Sequence, residues 1–166
     1  YFYTIEKAKS GKLFLPMLAH KFKDFVKKIP NDVFVQRKLD GARCNIYWCD
    51  LEQRVVARTR TSKEYSSVLD HVIAEVKVFL EENKHLILDG ELYNHGLKDD
   101  FEKMMSLVRQ GKPTEWDIEQ AVSMIQFHVY DIVDKGNLDL PFVHRKNILE
   151  TIFARQNYTV CQLVET

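Results

Sequence analysis

Residues 35–43 read Val-Gln-Arg-Lys-Leu-Asp-Gly-Ala-Arg, and the rest of the chain is interpreted outward from this stretch. Its residues alternate as in a half-buried strand, and Asp40-Gly41 is typical of a tight hairpin turn with positive φ angles. We therefore predict a strand that ends near Lys38, then a turn, then a returning strand. Alternation puts Gln36, Lys38 and Asp40 on one face, opposite the neighbouring apolar residues.

The returning strand alternates in the same way. Three apolar side chains share one of its faces and three polar ones share the other: Cys44, Ile46 and Trp48, against Arg43, Asn45 and Tyr47. The predicted hairpin therefore has one apolar face and one polar face.

Lys38 is a candidate for covalent chemistry. Partial desolvation and nearby cations disfavour the ammonium form of a lysine, and the neutral amine that results is a nucleophile. The alternative is an ordinary solvated lysine beside a turn, which the residues of this stretch alone do not exclude.

Composition predicts one folded domain without a general affinity for polyanions. The chain has 166 residues, of which 45% are hydrophobic, and its 24 Lys+Arg balance its 24 Asp+Glu. This balance implies that any nucleic-acid site is a local patch. The lysines at 21, 23, 27 and 28 are the first such patch, and we predict that they form the solvated face of a short amphipathic helix, with nucleic-acid contact as the alternative.

The three cysteines, Cys44, Cys49 and Cys161, contain no C-x-x-C pair, so a zinc or disulfide framework is not expected. We find neither a signal-peptide pattern nor an apolar run of about 18 residues, the length that would cross a membrane. We therefore predict a soluble, intracellular protein from a reducing compartment.

The remaining pattern interleaves strands with amphipathic helices. We predict two N-terminal helix caps, Ser67 with Asp70 and Thr114 with Asp117. The expected strands are 54–60, 86–93, 125–133 and 158–164, and the expected helices are 68–80, 101–108, 114–122 and 142–154. Hairpins occur where crossover helices would otherwise be needed, which favours an α+β fold with mainly antiparallel sheets.

Two charged groups of this pattern bear on function. Asp89 and Glu91 lie two apart on a strand that is expected to be buried, so they share a face and need a cation, a ligand or a metal. The basic run His144-Arg145-Lys146 is predicted to be solvated helix surface.

Four short motifs in order resemble the nucleotidyltransferase motifs I, Ia, III and IIIa of ATP-dependent DNA ligases, especially the viral and phage type. They are Lys38-Leu39-Asp40-Gly41-Ala42-Arg43, Thr59-Arg60-Thr61, Leu88-Asp89-Gly90-Glu91-Leu92 and Phe127-His128-Val129-Tyr130-Asp131. The resemblance implies an ATP-grasp-like nucleotidyltransferase domain that seals nicked double-stranded DNA.

The resemblance implies that Lys38 attacks the α-phosphate of ATP and forms lysyl-AMP. Gln36 would contact the adenine amino group, and Arg43 would reach the ribose or the nick phosphate. Glu91 would bind the ribose or a catalytic Mg²⁺, and Tyr130 would stack on adenine.

Arg60 is aligned with the Ser-Arg-Thr pattern of motif Ia and would hold a DNA phosphate. Arg58 lies two residues earlier on the same predicted face, so the register between the two arginines is open. His128, within motif IIIa, is predicted to be structural.

The sequence also departs from the family. After Asp131 it has no Glu-Gly pair of motif IV and no Lys-x-Lys of motif V. We therefore expect residues 1–166 to be a partial adenylation domain, incomplete at its C-terminus and without an OB-fold domain, and poorly active alone. An RNA ligase, a capping guanylyltransferase and a degenerate non-catalytic binding module remain alternatives.

Overall fold

The computed structural model describes residues 4–8, 11–16, 21–30 and 32–166, without the side chains of 4–8, 11–15, 98 and 99. Near the N-terminus, strands β1 (Thr4–Ala8) and β2 (Gly11–Leu15) form an antiparallel pair. Helix α1 (Phe22–Phe25) continues into a 3-10 turn, Val26–Lys28. The predicted short helix is confirmed, and its four lysines are exposed.

The centre of the fold is a five-stranded sheet in the order β4-β3-β5-β6-β7. Its last strand is parallel to β6, and all its other pairings are antiparallel. The strands are β3 (Ala42–Cys49), β4 (Arg54–Arg58), β5 (Leu86–Tyr93), β6 (Gln126–Asp134) and β7 (Cys161–Leu163). The predicted α+β class and the mainly antiparallel pairing are confirmed.

Four longer helices follow the predicted apolar periodicity. They are α2 (Asp70–Glu82), α3 (Phe101–Val108), α4 (Glu115–Met124) and α5 (Phe142–Arg155), and 3-10 turns precede α2 and α3 at Ser67–Leu69 and His95–Asp100. Thr114 and Asp117 form the predicted reciprocal cap of α4. The predicted cap of α2 is wrong, because the 3-10 turn occupies that position and no side chain caps the helix.

The two faces of the sheet have different roles. Helix α2 packs against β3 and β4, and helix α5 packs against β6 and β7. The apolar side chains of β3 and β5, including Ile46, Leu88 and Leu92, lie in the same core cluster as residues of these helices. The alternate positions of the same strands carry Arg43, Asn45, Asp89 and Glu91. This is the polar face predicted for β3.

The predicted first strand of the opening hairpin is wrong. Residues 33–40 have no strand or helix structure, and the sheet begins only at Ala42. Gly41 does not adopt the positive φ of the predicted tight hairpin turn, so that turn is absent. Glycine is needed there for a different reason, since a Cβ would lie 2.2 Å from the carbonyl oxygen of Leu92.

Arg145 corrects the prediction of a solvated basic run on α5. Its side chain is buried and forms two hydrogen bonds with Asp131 of β6, at 2.8 and 2.9 Å. This ion pair fixes the start of α5 against β6.

Glu75 of α2 fixes β7, the edge strand next to β6. Its carboxylate accepts the backbone N–H groups of Thr159, Val160 and Cys161. Burial alone would raise the pKa of this carboxyl, but the hydrogen bonds lower it below its ordinary value. Glu75 therefore holds β7 beside β6 as an anion.

No helix in the described part of the chain combines the length and apolar character that a membrane crossing requires.

Candidate nucleotide site

One end of the sheet gathers most of the predicted site residues. Arg43 lies opposite Glu91 across β3 and β5, and Asn45 lies opposite Asp89. Asn45 also pairs with Arg58 on the other side, so the turn after β4 lies at the end of the sheet where β3 begins.

An ion pair at this sheet end fixes the guanidinium of Arg43. Its Nε donates to Asp89 Oδ1 at 3.0 Å and its Nη2 donates to Oδ2 at 2.6 Å, while Asn45 Nδ2 adds a third donor at 2.8 Å. Asp89 is fully buried, whereas 20% of the Arg43 side chain remains exposed. The arrangement supplies a buried carboxylate with the charge and hydrogen bonds that it requires.

Tyr130 lies next to this ion pair because β6 bulges. The register between β5 and β6 shifts at Asp89/Gly90, so Tyr130 has no partner on β5. The centre of its ring is 5.9 Å from the Arg43 guanidinium carbon. Burial, followed by the charge of Asp89, raises the pKa of the Tyr130 hydroxyl well above its ordinary value, so the ring stays neutral.

Glu91 connects the sheet to the segment that carries Lys38. Its side chain lies against Gly41, where a Cβ would be 2.9 Å from Glu91 Cγ. The backbone of Gly41 and the positive charges of Lys38 and Arg43 favour the charged form of the carboxyl. Burial is the largest influence and raises the pKa of Glu91 to about 7. Glu91 is therefore a carboxyl group that changes charge near neutral pH.

Gln36, from the segment that carries Lys38, contacts Tyr130 at the bulge of β6. Its Nε2 donates to the carbonyl oxygen of Tyr130 at 2.9 Å and to Thr166 Oγ1 at 2.9 Å. A cavity of about 360 Å³ adjoins these residues. Phe142, Lys146 and Leu149 of α5 contribute to its lining, and Lys38 does not.

Lys38 itself is exposed, so the partial desolvation expected for it is not present in this structure. It lies two residues after Gln36 and three before Gly41. Gln36 is hydrogen-bonded to Tyr130, and Gly41 lies directly against Leu92 and Glu91, so the amine belongs to a segment that contacts the sheet on each side.

The structure separates Arg58 from Arg60. Strand β4 ends at Arg58, which is ion-paired with Glu52 and donates to the carbonyl oxygen of Ser62 at 3.3 Å. Arg60 is exposed in the following turn, which the side chain of Thr59 closes by accepting the N–H of Lys63 at 3.1 Å. The predicted alternation with Arg58 therefore stops before Arg60. Arg60 is exposed, whereas only 17% of the Arg58 side chain is exposed.

The carboxylates do not form a preorganised metal cage. The described residues include no group of three His, Cys, Asp or Glu side chains that could hold an ion. Asp89 is already bound by Arg43 and Asn45, which leaves Glu91 as the carboxylate with capacity to spare. A single available carboxylate, that of Glu91, fits a Mg²⁺ ion that is held mainly by phosphate oxygens of a bound nucleotide.

Comparison with known proteins identifies the family. The model of the ATP dependent DNA ligase domain matches residues 16–166. The chain belongs to this family. The match covers the whole sheet and all the residues of the candidate site.

Two DNA ligases and one solved structure show the range of the similarity. The DNA ligase of Methanococcus vannielii is 27% identical over 150 residues, which cover 86% of this chain and 25% of the relative. The DNA ligase of African swine fever virus (isolate Pig/Kenya/KEN-50/1950) is 29% identical over 150 residues, or 85% of this chain and 32% of the relative. The chain thus spans about a quarter to a third of the curated relatives that it matches.

The ATP-dependent DNA ligase of bacteriophage T7, solved in complex with ATP, has the same fold over 78% of this chain and 47% of its own. Its TM-score is 0.53 at 19% identity. The ligase adenylation fold expected from the motifs is confirmed.

Sequence reasoning missed the partners that arrange the ligase motifs. The prediction that buried Asp89 needs a counter-charge is confirmed by its ion pair with Arg43. The sequence does not identify Arg43 and Asn45 as its partners. Tyr65, whose hydroxyl donates to the carbonyl oxygen of Arg43 at 2.9 Å, carried no signal. These contacts depend on strand register, which a single sequence does not give.

Proposed function

We propose that this domain carries out the nucleotide-transfer chemistry of DNA ligation, with Lys38 as the AMP acceptor. In the first step, Lys38 Nζ forms a bond to the α-phosphorus of ATP, loses a proton and expels pyrophosphate. AMP then passes to the 5′-phosphate at a nick, which frees Lys38. The 3′-hydroxyl attacks that phosphate, AMP leaves, and the strand is sealed.

The observation that supports this proposal most strongly is the convergence of motifs I, III and IIIa. The Lys38 segment meets Glu91 through Gly41 and meets Tyr130 through Gln36. An amine nucleophile, a ribose-binding or metal-binding carboxylate and an aromatic platform thus belong to one site. Proximity and fixed orientation are what such a transfer reaction requires.

Each remaining nucleotide contact has a proposed role. Tyr130 offers a neutral aromatic face for adenine, and Gln36 lies beside it to meet the amino group of the base. Arg43 is held by Asp89 and binds the ribose or the nick phosphate. Glu91 binds the ribose or contributes an oxygen to Mg²⁺, which would neutralise charge on the phosphates of ATP when it is bound.

Arg60 is the proposed contact to nicked double-stranded DNA. It is exposed, it belongs to motif Ia, and it lies at the same end of the sheet as Arg43. An arginine with these properties can pair with a phosphate and position the strand without reading its sequence. The proposed setting is the interior of a cell, or a viral replication site within one, where ATP and nicked DNA are both present.

We also propose that these 166 residues supply only part of the adenylation machinery. The sequence after Asp131 contains neither the Glu-Gly nor the Lys-x-Lys pattern of motifs IV and V. Residues 1–166 alone should therefore label poorly with ATP, and the assays below use a chain that also carries those motifs.

The test is self-labelling with α-labelled ATP or α-labelled GTP in the presence of Mg²⁺, followed by denaturing electrophoresis. We expect label from ATP, no label after Lys38→Ala, and wild-type labelling after Lys63→Ala, a change at another exposed lysine. Label from GTP alone would instead indicate a capping guanylyltransferase. No label from either nucleotide would indicate a non-catalytic binding module.

Sealing assays separate DNA from RNA substrates. A labelled protein should seal nicked duplex DNA and release AMP. Sealing restricted to RNA would contradict the DNA assignment while leaving the Lys38 step intact.

A further inference from the structure

The segment that carries Lys38, residues 33–41, is not part of the sheet. Its backbone has no strand pairing up to residue 40, and Val33, Phe34 and Val35 are exposed. A nucleophile must nevertheless be held closely, because a misplacement of about 1 Å can cost roughly 100-fold in rate. Side-chain contacts must therefore supply the order that a β-ladder would normally provide.

The first contact is aromatic. The rings of Phe34 and Phe142 meet edge to face, with their centres 5.4 Å apart. The guanidinium of Arg145 lies 5.4 Å from the centre of the Phe142 ring, and the same arginine is bound to Asp131. The beginning of the Lys38 segment thus rests on a part of α5 that is fixed to β6.

The second contact is the hydrogen bond from Gln36 Nε2 to the carbonyl oxygen of Tyr130. This carbonyl belongs to the residue that has no partner on β5 because of the bulge. A side-chain amide from the Lys38 segment therefore satisfies a backbone acceptor at an irregularity of the sheet. Gln36 is two residues from Lys38 and touches the residue proposed to stack on adenine.

The third contact closes the segment. A Cβ at Gly41 would lie 2.2 Å from the carbonyl oxygen of Leu92 and 2.9 Å from Glu91 Cγ. The backbone therefore lies directly on β5 at this point. Lys38 is between the second and third contacts.

We propose that Gln36 is a positioning residue for the nucleophile: its N–H group ties the Lys38 segment to the Tyr130 carbonyl and so sets the amine relative to a base stacked on Tyr130. This role rests on the proposed adenylylation. It differs from reading the base, which uses the Oε1 acceptor of Gln36 rather than the Nε2 donor. The two roles therefore separate when only the donor is removed.

Two substitutions at Gln36 distinguish the positioning role of Nε2 from base contact through Oε1. Gln36→Glu keeps an oxygen that can accept from an adenine amino group but removes the N–H donor at neutral pH and above. Gln36→Met keeps the length of the side chain and removes both functions. Thr166→Val removes only the other acceptor of Gln36 and serves as the matched control.

The experiment measures single-turnover lysyl-AMP formation against ATP concentration at pH 8, together with hydrogen exchange of the amides at 37–41. We expect both Gln36 variants to lose about 10–100-fold in rate at saturating ATP, as misplacement of a reacting group predicts. In Gln36→Glu, KM should change by less than about threefold, whereas in Gln36→Met it should also rise because the proposed contact to the adenine amino group is lost. Amide exchange at 37–41 should quicken in both variants, while Thr166→Val should behave as the wild type.

The proposal is overturned if Gln36→Glu keeps the wild-type rate while Gln36→Met loses activity, since the acceptor oxygen would then be the important group. It is also overturned if either variant raises KM alone. Failure of the wild type to label would instead reject the proposed function, so the two failures are distinguishable.

Discussion

The sheet end that carries Arg43, Glu91 and Tyr130 and the Lys38 segment beside it are held in different ways. The former are fixed by strand pairing and by the buried Asp89, whereas residues 33–40 are fixed by side-chain contacts and are largely exposed. The difference suggests a division of work. In the proposed reaction, a rigid surface would bind the nucleotide, and a less constrained segment would carry the atom that forms and breaks a bond with it.

Removing the Asp89 charge from the sheet end should have the largest effect on the free energy of unfolding. Asp89→Asn removes the buried charge opposite Arg43, and loss of one partner of a buried pair costs about 3–5 kcal/mol of unfolding free energy. Arg54→Ala, which breaks an ion pair whose arginine side chain is 49% exposed, should cost less than about 1 kcal/mol. Urea denaturation of both variants checks the contrast, and equal losses would show that the Asp89 ion pair does not stabilise the sheet.

Glu91 lies where the two regions meet, so its ionisation should affect both. Its pKa of about 7 is above the ordinary value, which means that the folded protein holds this proton more tightly than the unfolded chain. Ionisation of Glu91 therefore lowers stability as the pH rises from the ordinary glutamate range to about 7. Stability measured across this interval should fall in the wild type and fall less in Glu91→Gln.

The proposed role of Glu91 uses the carboxylate, so kcat/KM for lysyl-AMP formation should rise through pH 7. Glu91→Gln should remove this inflection and lower the rate above pH 8 by about 10–100-fold, the worth of one charged hydrogen bond. An unchanged inflection in Glu91→Gln would assign the titration to another group.

Close approach of β5 and β6 can be tested at Gly90. A Cβ there would lie 2.4 Å from the carbonyl oxygen of His128, so Gly90→Ala should cost about 1–3 kcal/mol or more through overpacking. Gly111→Ala is the matched control, because nothing lies within 4 Å of its Cβ position. Thermal unfolding that fails to distinguish the two would mean that the strands separate easily at this point.

Substitution of Arg60 should have the smallest effect, and it should change only the affinity for DNA. Arg60→Ala should weaken binding to nicked duplex and reduce the dependence of log K on log salt by about one, as the loss of one phosphate contact predicts. Lysyl-AMP formation should be unaffected, and Arg155→Ala, an exposed arginine at the end of α5, should bind DNA normally. Equal loss of both steps in Arg60→Ala would place Arg60 in the nucleotide site instead.

Local patterns predicted the elements well, since their causes lie within a few residues. The apolar spacing of Val72, Val76 and Leu80 specified α2, and the Thr114-Asp117 pair specified the start of α4. The cap expected at Ser67 and Asp70 had the same pattern but was replaced by a 3-10 turn, which buries Val68 and Leu69 in the core.

Long-range contacts explain the errors. The stretch 33–40 alternates like a strand, yet it forms no strand, and Phe34 contacts α5 while Gln36 contacts β6. Arg145 belongs to a basic run, but the packing of α5 on β6 brings it to Asp131 and buries it. Partners such as Asn45 and Asp89 follow from register, and register is set by the whole sheet.

The most direct test of the central claim is to locate AMP on the protein. A chain that also carries motifs IV and V would be incubated with ATP and Mg²⁺, digested under conditions that preserve phosphoramidates, and mapped by tandem mass spectrometry. The account predicts one adduct, on Lys38, that is lost when nicked DNA is added. An adduct on another lysine, or no adduct while nicks are still sealed, would contradict it.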